Sequence, residues 1–190
     1  YINMAYFYTQ HIKTADTKAE ITVDYNDYKS LTLVNKHASA SVTVDLYLVD
    51  QTGSALRQSA NYENSTPTKV NLSAGYAITS SSQAIVVDTA SATDDIFLNE
   101  KVWLSTGTLI GTCTAVGSTT GITFGDGIVY PLANNDDLYT GARFHILNNV
   151  VIPNGTSLRL DGEDFNFHND NYKLYINMNQ ADGLDIMLRR

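Results

Sequence analysis

A repeated period-two alternation of apolar and polar residues constrains this chain more than any other feature of it. Successive side chains of an extended strand point to opposite faces, so a run that alternates cleanly reads as a strand with one buried and one wet face. Residues 20–24 (EITVD), 30–36 (SLTLVNK) and 41–50 (SVTVDLYLVD) alternate in this way, with Leu31 and Leu33, then Val42, Val44, Leu46 and Leu48, on one side. The small, polar junction 35–40 predicts that the last two runs form a hairpin or an arch between two sheets. The same texture returns at 142–153 (ARFHILNNVVIP), 156–161 (TSLRLD), 172–178 (YKLYINM) and 184–189 (LDIMLR), the last two read as a closing hairpin. Helix signals are poor. The best stretch, 10–20, has helix formers but thin apolar spacing, and is read as a loop or one turn.

Between these halves the texture changes. Residues 58–140 hold seven of the twelve glycines and the only Trp. Val102-Trp103-Leu104, a Gly107 turn and 108–116 read as a hairpin, followed by Ile122-Thr123-Phe124, Gly125-Asp126-Gly127, 128–132 (IVYPL), Asn134-Asn135-Asp136-Asp137 and Leu138-Tyr139. Many short strands in few residues predict a small curled sheet or barrel. The expected organisation is therefore all-β, with a β-sandwich built from 1–57 and 141–190 and a small β-barrel-like module, 58–140, inserted in one of its loops. Removing the insert would leave 46–49 and 144–147 as neighbouring strands.

Composition narrows the function. Twenty acidic against twelve basic side chains give a formal charge of −8, and the basic residues are scattered, so neither nucleic acid nor an anionic membrane surface is an expected partner. The apolar runs are far shorter than the ~18 residues a membrane-crossing helix needs. Cys113 stands alone, which rules out a disulfide framework within the chain and fits assembly in a reducing compartment. Tyr1-Ile2-Asn3 precedes Met4 without the regions of a secretory signal, so no export signal is expected. Asn64-Ser65-Thr66, Asn71-Leu72-Ser73 and Asn154-Gly155-Thr156 match the glycosylation pattern and are read as coincidence in an Asn- and Thr-rich chain.

Catalytic signatures are weak. His11, His37, His145 and His168 have no metal-binding spacing, and the glycine turns lack the Gly-Lys-Ser/Thr ending of a phosphate loop. Asp161, Glu163 and Asp164, near Asn169-Asp170-Asn171, are the only weak metal candidates; a solvated turn is the preferred reading over a calcium site, because the ordered alternation of calcium ligands is missing. No cofactor is expected. Tyr1, Tyr6, Phe7 and Tyr8 crowd the amino end, either as a docking arm or as a first strand tucked into its own core. Trp103, Tyr130 and Tyr139, with polar partners at 134–137, are candidate glycan contacts.

The hairpin Gly107-Thr108-Leu109-Ile110-Gly111-Thr112-Cys113-Thr114-Ala115-Val116, the strand Thr119-Thr120-Gly121-Ile122-Thr123-Phe124 and Leu132-Ala133-Asn134-Asn135-Asp136-Asp137-Leu138-Tyr139 resemble small β modules of tailed-phage structural proteins. Tyr28-Lys29-Ser30-Leu31-Thr32-Leu33-Val34-Asn35, with 42–49 and 146–160, resembles the immunoglobulin-like sandwiches of phage capsids, necks and tails. Cys113 departs from the usual hydrophobic residue of that hairpin, and the aromatic amino end has no counterpart. The resemblance implies a non-enzymatic virion structural protein, assembled in the host cytoplasm as many copies or a homo-oligomer with other virion proteins of the capsid, neck or tail. The resemblance does not choose the location on the virion; a compact acidic chain with an aromatic amino end suits many-copy attachment to a lattice through its sandwich and amino-terminal arm, so capsid decoration is expected first and a neck or tail accessory second, with a carbohydrate-binding module for host-surface attachment as the rival. An enzyme would need a cleft with perturbed carboxylates at 161–164.

Overall fold

The computed structural model describes residues 7–15, 18–21, 28–57, 68–88, 98–117, 120–162 and 167–189. Among these residues every regular element is a strand. The chain opens with β1 (Phe7–Ile12), β2 (Ala19–Ile21), β3 (Ser30–Asn35) and β4 (Val42–Asp50). The middle holds β5 (Leu56–Arg57), β6 (Thr68–Lys69), β7 (Gln83–Val86), β8 (Lys101–Leu104), β9 (Leu109–Val116), β10 (Gly121–Phe124) and β11 (Asp137–Gly141). It ends with β12 (Arg143–Ile152), β13 (Ser157–Asp161), β14 (Tyr172–Met178) and β15 (Leu184–Arg189). Two compact units result, Tyr1–Val49 with Arg143–Arg190, and Asp50–Ala142.

The first unit has two four-stranded sheets, ordered β1-β15-β3-β13 and β12-β4-β14-β2. The pairs β1–β15, β15–β3, β3–β13, β12–β4 and β14–β2 are antiparallel, and Asn179, just past β14, bonds Thr43 at the start of β4 (2.8 and 3.2 Å), so β4–β14 also runs antiparallel. Alternation sends Leu31, Leu33, Leu184, Ile186 and Leu188 of one sheet and Val42, Val44, Leu46, Leu174, Ile176 and Met178 of the other into a single core. Each such side chain contributes about 1.5–3 kcal/mol by leaving water. Asn35 is buried at the β3–β4 turn, where its amide donates to the carbonyls of Ile152 (2.8 Å) and Ala40 (3.0 Å) and accepts from the His37 N–H (2.9 Å), so no buried polar atom there is wasted.

Taken in the order the chain visits them, the strands of this unit lie first-eighth-third-sixth in one sheet and fifth-fourth-seventh-second in the other. That winding, two Greek keys in two sheets, is the jelly roll. It departs from the immunoglobulin-like order, in which strands A, B, E and D face C, F and G. One hairpin expectation, for β14 and β15, changes accordingly, and of the hairpin and the arch expected between β3 and β4 the arch is found. β3 and β4 lie in different sheets, and so do β14 and β15, so both connections are arches that cross the core rather than hairpins. Strands β4 and β12 do pair, Leu48 opposite Phe144 and Leu46 opposite Leu147, with the second unit spliced between them.

The second unit is a small barrel. Its sheet runs β5-β11-β8-β9-β10-β7, and β6 also pairs with β11. The far edge returns to β6: Val70 bridges Val87, Asn71 N–H donates to the Val86 carbonyl (2.9 Å) and Asp88 N–H to the Lys69 carbonyl (3.0 Å), which closes the ring β6-β11-β8-β9-β10-β7. Val70, Ile85, Val102, Ile110, Cys113, Ile122, Phe124 and Leu138 fill the interior. Gly111 is required by the packing, since a Cβ there would lie 2.8 Å from the Gly127 carbonyl and 2.9 Å from the Phe124 ring. Residues 50–57 go with the barrel and not with the sandwich, because Leu56 and Arg57 pair with β11.

Candidate interaction surface

Two bridges build the most exposed apolar feature among the described residues of the barrel. Tyr76 and Leu132 exchange hydrogen bonds (2.7 and 2.9 Å), as do Thr79 and Ile128 (3.1 and 2.9 Å). Between the bridges one side has Ala77 and Ile78, the other Val129, Tyr130 and Pro131. The extra residue makes a β-bulge, a device that re-aims side chains at sheet margins. Ile128 and Leu132 turn into the core, whereas Val129, next to Ile128, and Ile78, next to Thr79 on the facing segment, turn out: each is 61% exposed, and Tyr130 is 44% exposed. Pro131 has no N–H and cannot extend the ladder outward. The Val129 N–H is spent inward on the Ile110 carbonyl (2.8 Å), which fixes the bulge to β9.

The surroundings of this ridge are uncharged or acidic. Exposed Ser80, Ser81 and Ser82 follow Thr79, whose hydroxyl accepts the Ser81 N–H (3.1 Å), and no Lys, Arg or Glu occurs in 76–82 or 125–136. An apolar centre flanked by polar and acidic residues, with no basic side chain in either segment, suits contact with another macromolecule or the face of a sugar ring.

The three aromatic residues singled out as glycan contacts are not presented as one surface. Trp103 and Tyr139 are cross-strand partners on β8 and β11, and both are buried, with Gly53 so close to the indole that a Cβ there would lie 2.8 Å from its ring carbons. A stacking platform needs an open ring face, which only Tyr130 has. Burial pushes the Tyr139 hydroxyl above its ordinary pKa, and the Asp137 charge adds to the effect. The hydrogen bond from Lys69 to Asp137 (2.9 Å) raises the Lys69 ammonium in turn.

At the amino end, Tyr1 and Tyr6 lie outside the described residues. Phe7 and Tyr8 begin β1, the edge strand hydrogen-bonded to β15, with Phe7 exposed and Tyr8 packed against the sandwich core. The described part of the proposed arm is therefore a strand of its own sheet. Asp161 ends β13, exposed and paired with Arg159 (3.0 Å); Glu163 and Asp164 lie outside the described residues. Among the described residues no group of three or more His, Cys, Asp or Glu side chains is arranged to hold a metal.

The charged cluster that sequence spacing did not indicate joins residues far apart in the chain. His11 on β1 stands opposite Asp185 on β15, with Nδ1 2.5 Å from Oδ1, while Nε2 lies 3.4 Å from Asp182 and Lys36 reaches the other Asp185 oxygen at 2.7 Å. Burial opposes ionisation of Asp185, but the hydrogen bonds from Lys36 and His11 outweigh it and hold the carboxyl below the ordinary range. The cluster ties β1, β15 and the residue after β3 together.

No protein-family model, no curated protein and no solved structure matches the chain.

Proposed function

We propose that this chain is a non-enzymatic structural protein of a tailed-phage virion, a capsid decoration protein in the first instance, assembled in the host cytoplasm in many copies against other virion proteins. The observation that carries the reading is architectural: a jelly-roll unit, a winding frequent among viral capsid domains, carries in one hairpin loop a closed barrel that exposes the apolar Ile78–Val129–Tyr130 ridge. Attachment would bury this ridge and pair open sheet edges with neighbouring chains. The jelly-roll assignment replaces the immunoglobulin-like one in this proposal, and a neck or tail position uses the same surfaces.

Cryo-electron microscopy of the assembled particle, with copies of this chain counted in density, tests the proposal. Hundreds of copies on the icosahedral shell establish decoration; a few copies around the tail axis move the chain to the neck or tail; no density on the particle overturns the virion reading. A second reading, a carbohydrate-binding module, is favoured by one observation, the exposed Tyr130 side chain on the ridge. A glycan array separates the two, since a purely structural attachment protein binds no glycan.

A further inference from the structure

We propose that Asn154 is a site of spontaneous, non-enzymatic modification, converting through a cyclic imide to aspartate and isoaspartate. Asn154-Gly155 is the only Asn-Gly pair in the chain. The reaction begins when the Gly155 amide nitrogen, losing its proton to solvent base, attacks Cγ of Asn154. The new N–Cγ bond closes a five-membered succinimide, and the Cγ–Nδ2 bond breaks to release ammonia. Water then opens the ring at either carbonyl, giving aspartate or, by rerouting the backbone through the side chain, isoaspartate. The net change is one water consumed and one ammonia released, with no oxidant or cofactor.

The turn meets the three requirements of that chemistry. First, the attacking nitrogen must be reachable by solvent: residues 153–157 are all exposed, and no atom beyond Asn154 and Thr156 lies within 4 Å of where a Gly155 Cβ would sit. Second, the backbone must be free to rotate toward the attacking geometry. Gly155 has φ +69° in a turn closed by the Thr156 N–H and hydroxyl donating to the Pro153 carbonyl (3.2 and 2.7 Å), and glycine crosses between φ basins at little cost. Third, the carboxamide must be able to leave its resting contact. Its hydrogen bond from Nδ2 to the Ala38 carbonyl is a long one, 3.2 Å, at an exposed site, where such a bond contributes only about 0.5–1.5 kcal/mol.

Other asparagines lack one or more of these. Asn35 is buried with three hydrogen bonds, Asn135 and Asn149 are followed by Asp136 and Val150, and the Asn179 carboxamide oxygen is engaged by the Thr43 N–H. Conversion at Asn154 also has a structural consequence. The donor to the Ala38 carbonyl disappears and a carboxylate takes its place, so the tie between the β12–β13 turn and the β3–β4 arch becomes a repulsion.

The test is incubation of the full chain at mildly alkaline pH in heavy-oxygen water, followed by peptide mass spectrometry. The expected result is amide-to-acid conversion with label uptake at Asn154, a mixture of aspartate and isoaspartate, and a rate at least about tenfold above that of any other described asparagine. Gly155→Ala slows it about tenfold, by crowding the attacking nitrogen; Asn154→Gln, which keeps the turn glycine and would need a six-membered ring, abolishes it on the same timescale. Equal conversion at Asn154 and at Asn134 or Asn171, or acid at Asn154 without isoaspartate, overturns the proposal. So does an unmodified Asn154 in a sample whose Asn154→Gln variant unfolds at the same denaturant midpoint.

Discussion

Substituting Gly127 by alanine tests whether the barrel is closed over its ridge as described. Gly127 has φ +81°, and a Cβ there would run into the Thr79 carbonyl group and approach the Ser81 carbonyl at 2.8 Å. Two costs follow from different atoms. An L-residue held in the left-handed region loses about 1–2 kcal/mol. Moving Thr79 away also breaks its two hydrogen bonds with Ile128, each contributing about 0.5–1.5 kcal/mol. The combined loss is about 2–5 kcal/mol, which at a urea dependence of about 2 kcal/mol per molar lowers the midpoint by about 1–2.5 M. Gly155→Ala is the control, because its φ of +69° imposes the strain alone with no atom in the way. Urea unfolding with amide hydrogen exchange reads both: Gly127→Ala unfolds earlier than Gly155→Ala and loses protection at Thr79 and Ile128. Equal midpoints for the two variants, with those amides still protected, would refute the bridge and with it the geometry that presents Ile78 and Val129.

Three further outcomes are expected. Asp50→Ala removes an almost fully buried carboxylate that accepts from the Thr52 N–H (2.6 Å), the Thr52 hydroxyl (2.7 Å) and the Ala55 N–H (3.1 Å), and thermal unfolding should register a loss of about 3 kcal/mol. The depressed carboxyl of Asp185 contributes stability that is present above the ordinary aspartate value, about 3.9, and is lost as pH falls through its lower folded value; carbon NMR should place its titration below that value, and Lys36→Met should move it upward. Ile78→Ser with Val129→Ser should leave urea stability within about 0.5 kcal/mol per site, both side chains being exposed, while reducing attachment to purified particles; undiminished attachment counts against the ridge as the contact.

The alternation in 42–50, 172–178 and 184–189 specifies strands and the face each one buries, because the pleat ties in-and-out pointing to sequence parity. It carries no information on which strand supplies the next row of hydrogen bonds. That is why β14–β15, read locally as a hairpin, spans the core between sheets, and why hairpin and arch stayed open for β3–β4 until the sheets were assigned. The choice between hairpin and arch depends on how eight strands together cover one apolar interior. The expected pairing of 46–49 with 144–147 could be read across the insert because both runs keep the same texture on either side of a segment that differs from them.

Site residues divide along the same line. Tyr130 was visible as an aromatic residue next to Pro131 in a short strand, whereas Ile78, its opposite number on the ridge, sits in a Thr- and Ser-rich stretch with no periodic signal. Trp103 and Tyr139 looked like contact residues and are buried, since Gly53, fifty residues earlier in the chain than Trp103, packs against the indole. His11, Asp182, Asp185 and Lys36 have no common motif; the register of β1 on β15 brings them together. The sequence by itself determined that this chain is all-β, in two textures, with strand faces assigned, because those properties follow from neighbours one and two residues apart. Only the tertiary structure decided the jelly-roll winding, the closure of the barrel and which aromatic rings reach solvent, because each depends on contacts between residues tens of positions apart, which local order does not encode.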